Sequence, residues 1–326
     1  MKGRGIVLRT KKDIKRLTNS VHEMAIRCAS IAKRGRVLRV AIVSCDRWKG
    51  KVYDDLLLRG EFLKRDLDAK IVSWQDGSVK WGKFDAIVIG SMWGYQNFLS
   101  DFEKWLAKIE ENGAVVVNPI PVIRKNYDKA EQFRILRRAG VPVVRTGVLK
   151  MGEIDSFELP EGKFVIKPTI SGGGENTFLV QNRGDFEEKR SKLRRLNEER
   201  ELLVQPFVPE ISAGELGVVM IGGKIMNVVR RFPGVLEGKF KVEKVKTLAK
   251  EARNLADKIA EMPEFREASY LRIDMVERKT GPVIMEVEAF EPQLYYYLLK
   301  GKAREKALDL MVTEVVDRYD RKVARR

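Results

Sequence analysis

Near the C-terminal end of the chain, charges fall on every second residue of two short runs. Arg272 and Asp274 belong to the first run, and Glu286 and Glu288 belong to the second. Side chains alternate faces along a strand, so each pair shares one face while Ile273 and Val287 point the other way. Lys279, Thr280, Gly281 and Pro282 between the runs supply turn chemistry. The two runs therefore predict a hairpin with three carboxylates and one arginine on the same side. Buried carboxylates repel one another unless a cation sits among them. Oxygen-only ligands suit Mg²⁺, which commonly accompanies nucleotide phosphates. A solvated sheet face with alternating charges is the competing reading of either strand taken alone.

The elements needed to hold such a patch are present upstream. Residues 37–44, 69–74, 84–90 and 114–117 are short apolar runs, and residues 54–67 and 98–111 between them have helical spacing. This alternation predicts a small parallel sheet covered on both faces. Ligands of such sheets sit at the C-terminal strand edges, which makes residues 44–48 and 90–95 candidate binding loops. Asn118-Pro119 ends this region. A helix is expected over 129–139, strands over 162–168 and 202–207, and a charged helix over 183–201. A hairpin is expected across Gly222-Gly223, followed by helices over 245–261 and 303–318.

Composition narrows the class. The chain has 326 residues, 44% hydrophobic and 33% charged, with Lys, Arg and Glu dominant. That balance fits a globular protein with an ion-paired, thermophile-like surface. The single histidine, His22, excludes His-based zinc sites and a Ser-His-Asp triad. Cys28 and Cys45 have neither metal-site spacing nor the number for a disulfide framework, so a cytoplasmic setting is expected. No apolar run approaches the ~20 residues needed to span a bilayer, so no membrane partner is expected. Net charge is +17, and residues 1–39 hold twelve Lys/Arg against Asp13 and Glu23. Residues 1–35 read either as a basic arm for nucleic acid or a ribosomal partner, or as a solvated helix with an apolar stripe.

A second cluster precedes the hairpin. Lys167-Pro168 closes a predicted strand and leads into Ser171-Gly172-Gly173-Gly174. Backbone N–H groups of a glycine run approach an anion closely, and a lysine at a strand end supplies a point charge for phosphate. The spacing is neither GxxxxGK[ST] nor GxGxxG.

Taken in order, Asp128-Lys129, Lys167-Pro168 with its SGGG loop, Leu203–Phe207, Gly214-Glu215, Arg272-x-Asp274 and Glu286-x-Glu288 resemble the ATP-grasp superfamily. The resemblance covers roughly residues 36–300 and extends to the glutathione synthetase and D-alanine–D-alanine ligase groups. It is strongest for the branch with the cycloserine-biosynthesis cyclase, where Glu-Pro follows the Glu-x-Glu segment, as Glu291-Pro292 does here. The resemblance implies a mixed α/β ATP-grasp fold with a Rossmann-like parallel-sheet domain over 36–125. A central subdomain over 126–205 and a C-terminal one over 206–326 would clasp the nucleotide, with 1–35 as a basic helical extension.

It also implies ATP and Mg²⁺ as cofactors and assigns roles. Lys129, Lys167 and Ser171 to Gly174 would contact phosphates, and the backbone of Gln205, Pro206, Phe207 and Val208 would hold adenine. Arg272 would steady the transferred phosphoryl group, with Lys167 and Arg230 completing the catalytic set. Asp274, Glu286 and Glu288 would ligate the metal. The usual ending is Glu-x-Asn, so Glu288 adds a negative charge.

At the substrate end the pattern departs. Relatives carry an Arg-Ser-Thr-Trp-Asp-Tyr type segment where this chain reads Gly90-Ser91-Met92-Trp93-Gly94-Tyr95, so an arginine and an aspartate are both glycine. Arg230 and Arg231 are candidates for a substitute positive charge. The reaction implied is activation of a small, amino-acid-like carboxylate as an acyl phosphate, followed by attack of an amine. A kinase-like enzyme of the same fold is the alternative, as is a nucleotide-regulated RNA- or ribosome-binding module using residues 1–35. Related enzymes are often dimers, so a homodimer is a further expectation.

Overall fold

The computed structural model describes residues 36–232 and 241–325. The expected basic extension over 1–35, with His22 and Cys28, lies outside the described residues, as does the Pro233-Gly234 turn.

The apolar runs form strands where both faces can be buried. β1 (Arg39–Ser44), β2 (Asp68–Ser73), β3 (Ala86–Ile89) and β4 (Val115–Val117) make a parallel sheet in the order β2-β1-β3-β4. Helices Tyr53–Lys64 and Leu99–Glu111 connect its strands. One sheet face packs on Phe62 and Leu58 and on the C-terminal helix Lys302–Ala324, the other on Phe102, Trp105 and Ile109. That last helix runs past the expected end at residue 318, where Tyr319 packs against the core and Lys322 Nζ donates to the Ala114 carbonyl at 3.2 Å.

Strand order reverses between β1 and β3, and the crevice there is filled from within. Ser91 Oγ donates to Asp55 Oδ2 at 2.5 Å and lies 2.8 Å from Ser44 Oγ. A Cβ on Gly90 would come within 2.7 Å of Asp55 Oδ1 and 2.9 Å of the Val43 carbonyl. The arginine that relatives place at this position therefore has no room here. Burial raises Asp55 to about 7, with the charge of Asp54 adding to it. Burial likewise raises Asp54 to about 6. A folded-state pKa above the unfolded value of about 4 means stability is greatest below that value and declines as pH rises towards 7. Asp55→Asn should remove this decline, so its melting temperature should gain on the parent's progressively between pH 4 and 8. A constant difference across that range would contradict the account.

Among the described residues two further sheets follow. β5 (Gly147–Leu149), β6 (Phe164–Pro168), β7 (Phe178–Val180) and β8 (Leu202–Pro206) form an antiparallel sheet in the order β5-β8-β6-β7, packed on helix Arg183–Glu199. β5 and β7 escape sequence reading because three residues carry too little periodicity.

The third sheet has the order β11-β10-β9-β12-β13. Its strands are β9 (Glu215–Ile221), β10 (Lys224–Phe232), β11 (Lys241–Lys244), β12 (Tyr270–Arg278) and β13 (Gly281–Glu288). Gly222 and Gly223, with φ of +55° and +69°, make the turn between β9 and β10. In the predicted hairpin Arg272 pairs with Glu288, Ile273 with Val287 and Asp274 with Glu286, so all four charges share one face. Ile273 and Val287 are fully buried on the other face against helices Lys129–Arg138 and Lys250–Ala260. Each such burial is worth about 1.5–3 kcal/mol. Among the described residues no helix is long and apolar enough to cross a membrane.

Candidate active site

A cleft of about 1240 Å³ opens where the three sheets meet. The hairpin face, the glycine loop and both loops at the C-terminal edge of the parallel sheet line it, the latter through Cys45–Trp48 and Trp93–Phe98.

The charged floor is a network. Arg272, 4% exposed, donates from Nε to Asp274 Oδ1 at 2.9 Å and from Nη2 to Asp274 Oδ2 at 3.0 Å. Its Nη2 also bonds Glu288, and Nη1 donates to the Gln293 carbonyl at 3.3 Å. Arg231 reaches Asp274 Oδ2 and Glu215 Oε2, each at 2.5 Å. Lys129 Nζ lies 3.2 Å from Glu286 Oε1 and donates to the Ser171 carbonyl at 2.5 Å. Space for the Arg272–Asp274 pair comes from Gly217 on β9, whose Cβ would stand 3.3 Å from Asp274 Oδ1.

Burial and charge set the protonation of these groups. Burial works to raise Asp274, but Arg231 and Arg272 outweigh it and hold the carboxyl below its ordinary range. Glu288 is pushed to about 7 by burial, with Glu286 and Asp274 adding to the shift against Arg272. Burial, then the cation Lys129, lowers Lys167; Glu286 opposes them.

Side chains that sequence periodicity does not reveal hold the acidic strand. β13 is a sheet edge, and its outer backbone is bonded by amides from residues 126–132. Gln132 accepts from Val287 N at 2.7 Å and donates to Val287 O at 2.6 Å. Asn126 accepts from Ala289 N at 2.5 Å and donates to Val287 O at 2.6 Å. Asn118 donates to the carbonyls of Tyr270 and Ala289 at 2.8 and 2.7 Å. Lys129 begins the helix that carries Gln132, and Asp128 caps it by accepting from Ala130 N. One helix thus fixes both a cation of the cleft and the strand bearing Glu286 and Glu288.

Other expected residues fall as follows. Ser171, Gly172, Gly173 and Gly174 line the cleft, and Gly173 and Gly174 take φ of +60° and +76°, which glycine adopts without strain. Lys167 is partly buried on β6, among the charges of Lys129, Glu286, Glu215 and Asp274. Gln205 and Pro206 end β8, and Phe207 and Val208 continue from it. Gln205 Nε2 donates to Thr146 Oγ1 at 2.8 Å, Phe207 N donates to the Lys163 carbonyl at 2.9 Å, and Val208 is buried with Val144 and Val276. Ile211, one short turn later, reaches the cleft. Arg230 turns away to Glu277, at 2.8 Å, and to the Ala213 and Gly214 carbonyls. Arg231, not Arg230, supplies the positive charge on this wall.

The donor set suits Mg²⁺ in kind: Asp274, Glu286 and Glu288 offer oxygens on one face. Among the described residues no three acidic, His or Cys side chains converge on one point, because Lys129, Arg231 and Arg272 draw the carboxylates apart. Glu286 and Glu288, 23% and 25% exposed at their side chains, are far more accessible than Asp274 at 1%.

Residues 143–292, which carry the glycine loop and the acidic hairpin, match the family described as prokaryotic glutathione synthetase, ATP-grasp domain. The chain carries an ATP-grasp domain. Residues 40–118 match the N-terminal domain of D-cycloserine synthetase DcsG. The cycloserine biosynthesis protein DcsG of Streptomyces lavendulae is 25% identical over 251 residues, 70% of this chain and 83% of that protein. The crystal structure of D-cycloserine synthetase DcsG superposes with a TM-score of 0.73 at 20% identity, covering 86% of this chain and 99% of that one. A D-alanine–D-alanine ligase from Bacillus anthracis, complexed with ATP, gives a TM-score of 0.64 at 13% identity over 88% of this chain and 98% of that one. The ribosomal protein bS6–L-glutamate ligase of Escherichia coli is 23% identical over 194 residues, 56% of this chain, which spans 62% of that relative. The last two of these relatives carry ligase names, and the superpositions show that this chain shares the fold of the two solved structures.

Proposed function

We propose that this chain is an ATP- and Mg²⁺-dependent ligase that activates a small, amino-acid-like carboxylate as an acyl phosphate for attack by an amine. The observation that carries the reading is one continuous cleft with a charged floor at one end and the Cys45–Trp48 and Trp93–Phe98 loops at the other. Residues 126–205 and 206–326 would clasp the nucleotide, and 36–125 would supply the substrate end.

In this reading a carboxylate oxygen attacks the γ-phosphorus, the β,γ-bridging bond breaks, and ADP leaves. An amine nitrogen then attacks the acyl carbon, the carbon–oxygen bond to phosphate breaks, and the nitrogen gives up a proton. Arg272 and Arg231 would meet the charge of the transferring group, and Lys129 and Lys167 would stand beside the phosphate chain. The N–H groups of Ser171 to Gly174 close over the same phosphates and keep water from the acyl phosphate. Mg²⁺ held by Asp274, Glu286 and Glu288 would neutralise phosphate charge. Holding both reactants beside the anhydride is worth at most ~7–11 kcal/mol of the barrier.

Thermal unfolding with ATP tests the site. Nucleotide at one hundred times its dissociation constant should stabilise the fold by about 2.7 kcal/mol, and the shift should require Mg²⁺. Hydroxylamine added to a turnover mixture should yield a hydroxamate, which an acyl phosphate forms and a phosphorylated alcohol does not. ADP release without hydroxamate would favour the kinase-like alternative, and no thermal shift at any ATP concentration would overturn both.

A further inference from the structure

Glu291 lies three residues beyond β13, at the meeting point of the glycine loop, the loop after β3 and the acidic hairpin. Its Oε2 is buried and has no hydrogen-bond partner. Oε1 faces Gly172 so closely that a Cβ there would stand 3.5 Å from it, and 3.7 Å from Gln96 Oε1. Trp93 Nε1 donates to the Glu291 carbonyl at 3.3 Å, which fixes the backbone.

Three cations of the cleft are committed to other acids, and the fourth lining cation, Arg47, holds its guanidinium 5.2 Å from the centre of the Trp48 ring. Lys129 holds Glu286, Arg231 holds Glu215 and Asp274, and Arg272 holds Asp274 and Glu288. A buried carboxyl oxygen left without a partner costs stability, so its retention in a cleft wall calls for a partner that arrives with a ligand. Burial, then the charge of Glu288, pushes Glu291 well above the ordinary carboxylate range, which marks a place short of positive charge.

The chemistry of the missing partner follows from the two reactants. A carboxylate substrate and a nucleotide are both anions and bring no positive charge to this carboxyl. An amine arrives at neutral pH as an ammonium ion with three N–H donors and a positive charge. We propose that Glu291 is the seat for the ammonium group of the attacking substrate, selecting charged primary amines over neutral nucleophiles. This rests on the ligase reading above.

The test compares two nucleophiles in the full-length enzyme, first screening carboxylates for hydroxamate formation. Hydroxylamine is neutral near pH 7, whereas the amino acids used as trial amines carry the ammonium. Glu291→Gln should raise the KM for the amino acid by about tenfold or more, leaving the ATP-induced thermal shift and hydroxamate formation unchanged. Glu291→Asp, which keeps the charge on a shorter arm, should recover part of the loss. Equal losses with both nucleophiles, or an unchanged KM for the amino acid, would overturn the assignment. A parent enzyme that forms no hydroxamate would instead overturn the ligase reading, and this inference with it.

Discussion

Exchanging Glu286 for glutamine should lower ADP release by about 10²–10³-fold while the melting temperature stays within a few degrees of the parent's. The carboxylate is 23% exposed at its side chain and meets Lys129 at 3.2 Å, so its contribution to folding is that of a partly solvated ion pair. Such pairs are worth about 0–1 kcal/mol, and glutamine keeps the volume and an acceptor oxygen. What the substitution removes is a negative charge on the face proposed to meet the metal and the phosphates. Steady-state ADP release and a melting curve on the same sample decide the matter. Turnover within tenfold of the parent would remove Glu286 from the site, and a large loss of melting temperature would make it a structural residue.

Arg272→Met should act in the opposite proportion, abolishing turnover and also costing the fold about 3–5 kcal/mol. Arg272 is 4% exposed and binds both oxygens of Asp274 together with Glu288 and the Gln293 carbonyl. Methionine fills much of the space and leaves two buried acids with fewer cations. Urea unfolding would measure the loss directly. The double variant Arg272→Met/Asp274→Asn removes one of those stranded charges and should regain part of the stability without regaining activity. If the single variant unfolds with the parent, the network contributes nothing to the fold and its role is confined to binding.

The hairpin was legible because its period of two is set by the pleat itself, and the turn residues between the runs fix which residues face each other. Arg272 opposite Glu288 and Asp274 opposite Glu286 follow from that geometry alone. The parallel sheet was legible for a related reason, since strands buried on both faces must be apolar throughout. The same parity argument failed at Arg230. Two adjacent arginines point to opposite faces, and an irregularity between Ile225 and Asn227 shifts the phase of β10, so counting from the Gly222-Gly223 turn gives no answer. Gln132, Asn126 and Asn118 carry no pattern at all. Their importance comes from meeting one strand edge, a long-range fact that single-sequence periodicity does not contain. The adenine hinge expected at Gln205–Val208 rested on family resemblance and on no spacing in the sequence. For Gly90 the sequence showed a departure from relatives, and Asp55 supplied the steric reason.

The two borders of the five-stranded sheet are guarded by different means, and this bears on self-association. An unprotected border strand is a template to which another chain can add. At β13 the outward N–H of Val287 and the N–H of Ala289 just beyond the strand are already taken by Gln132 and Asn126, so an incoming strand would have to displace side chains carried by two helices, Lys129–Arg138 and Ile120–Asn126. At β11 the protection is electrostatic, with Lys241, Glu243 and Lys244 along four residues. The border nearest the chemistry is therefore closed by fit and insensitive to salt, whereas the far border is closed by charge and weakens as ionic strength rises. If concentrated salt drives these molecules into edge-paired aggregates, the contact should form through β11, and the acidic hairpin should remain open to its ligands.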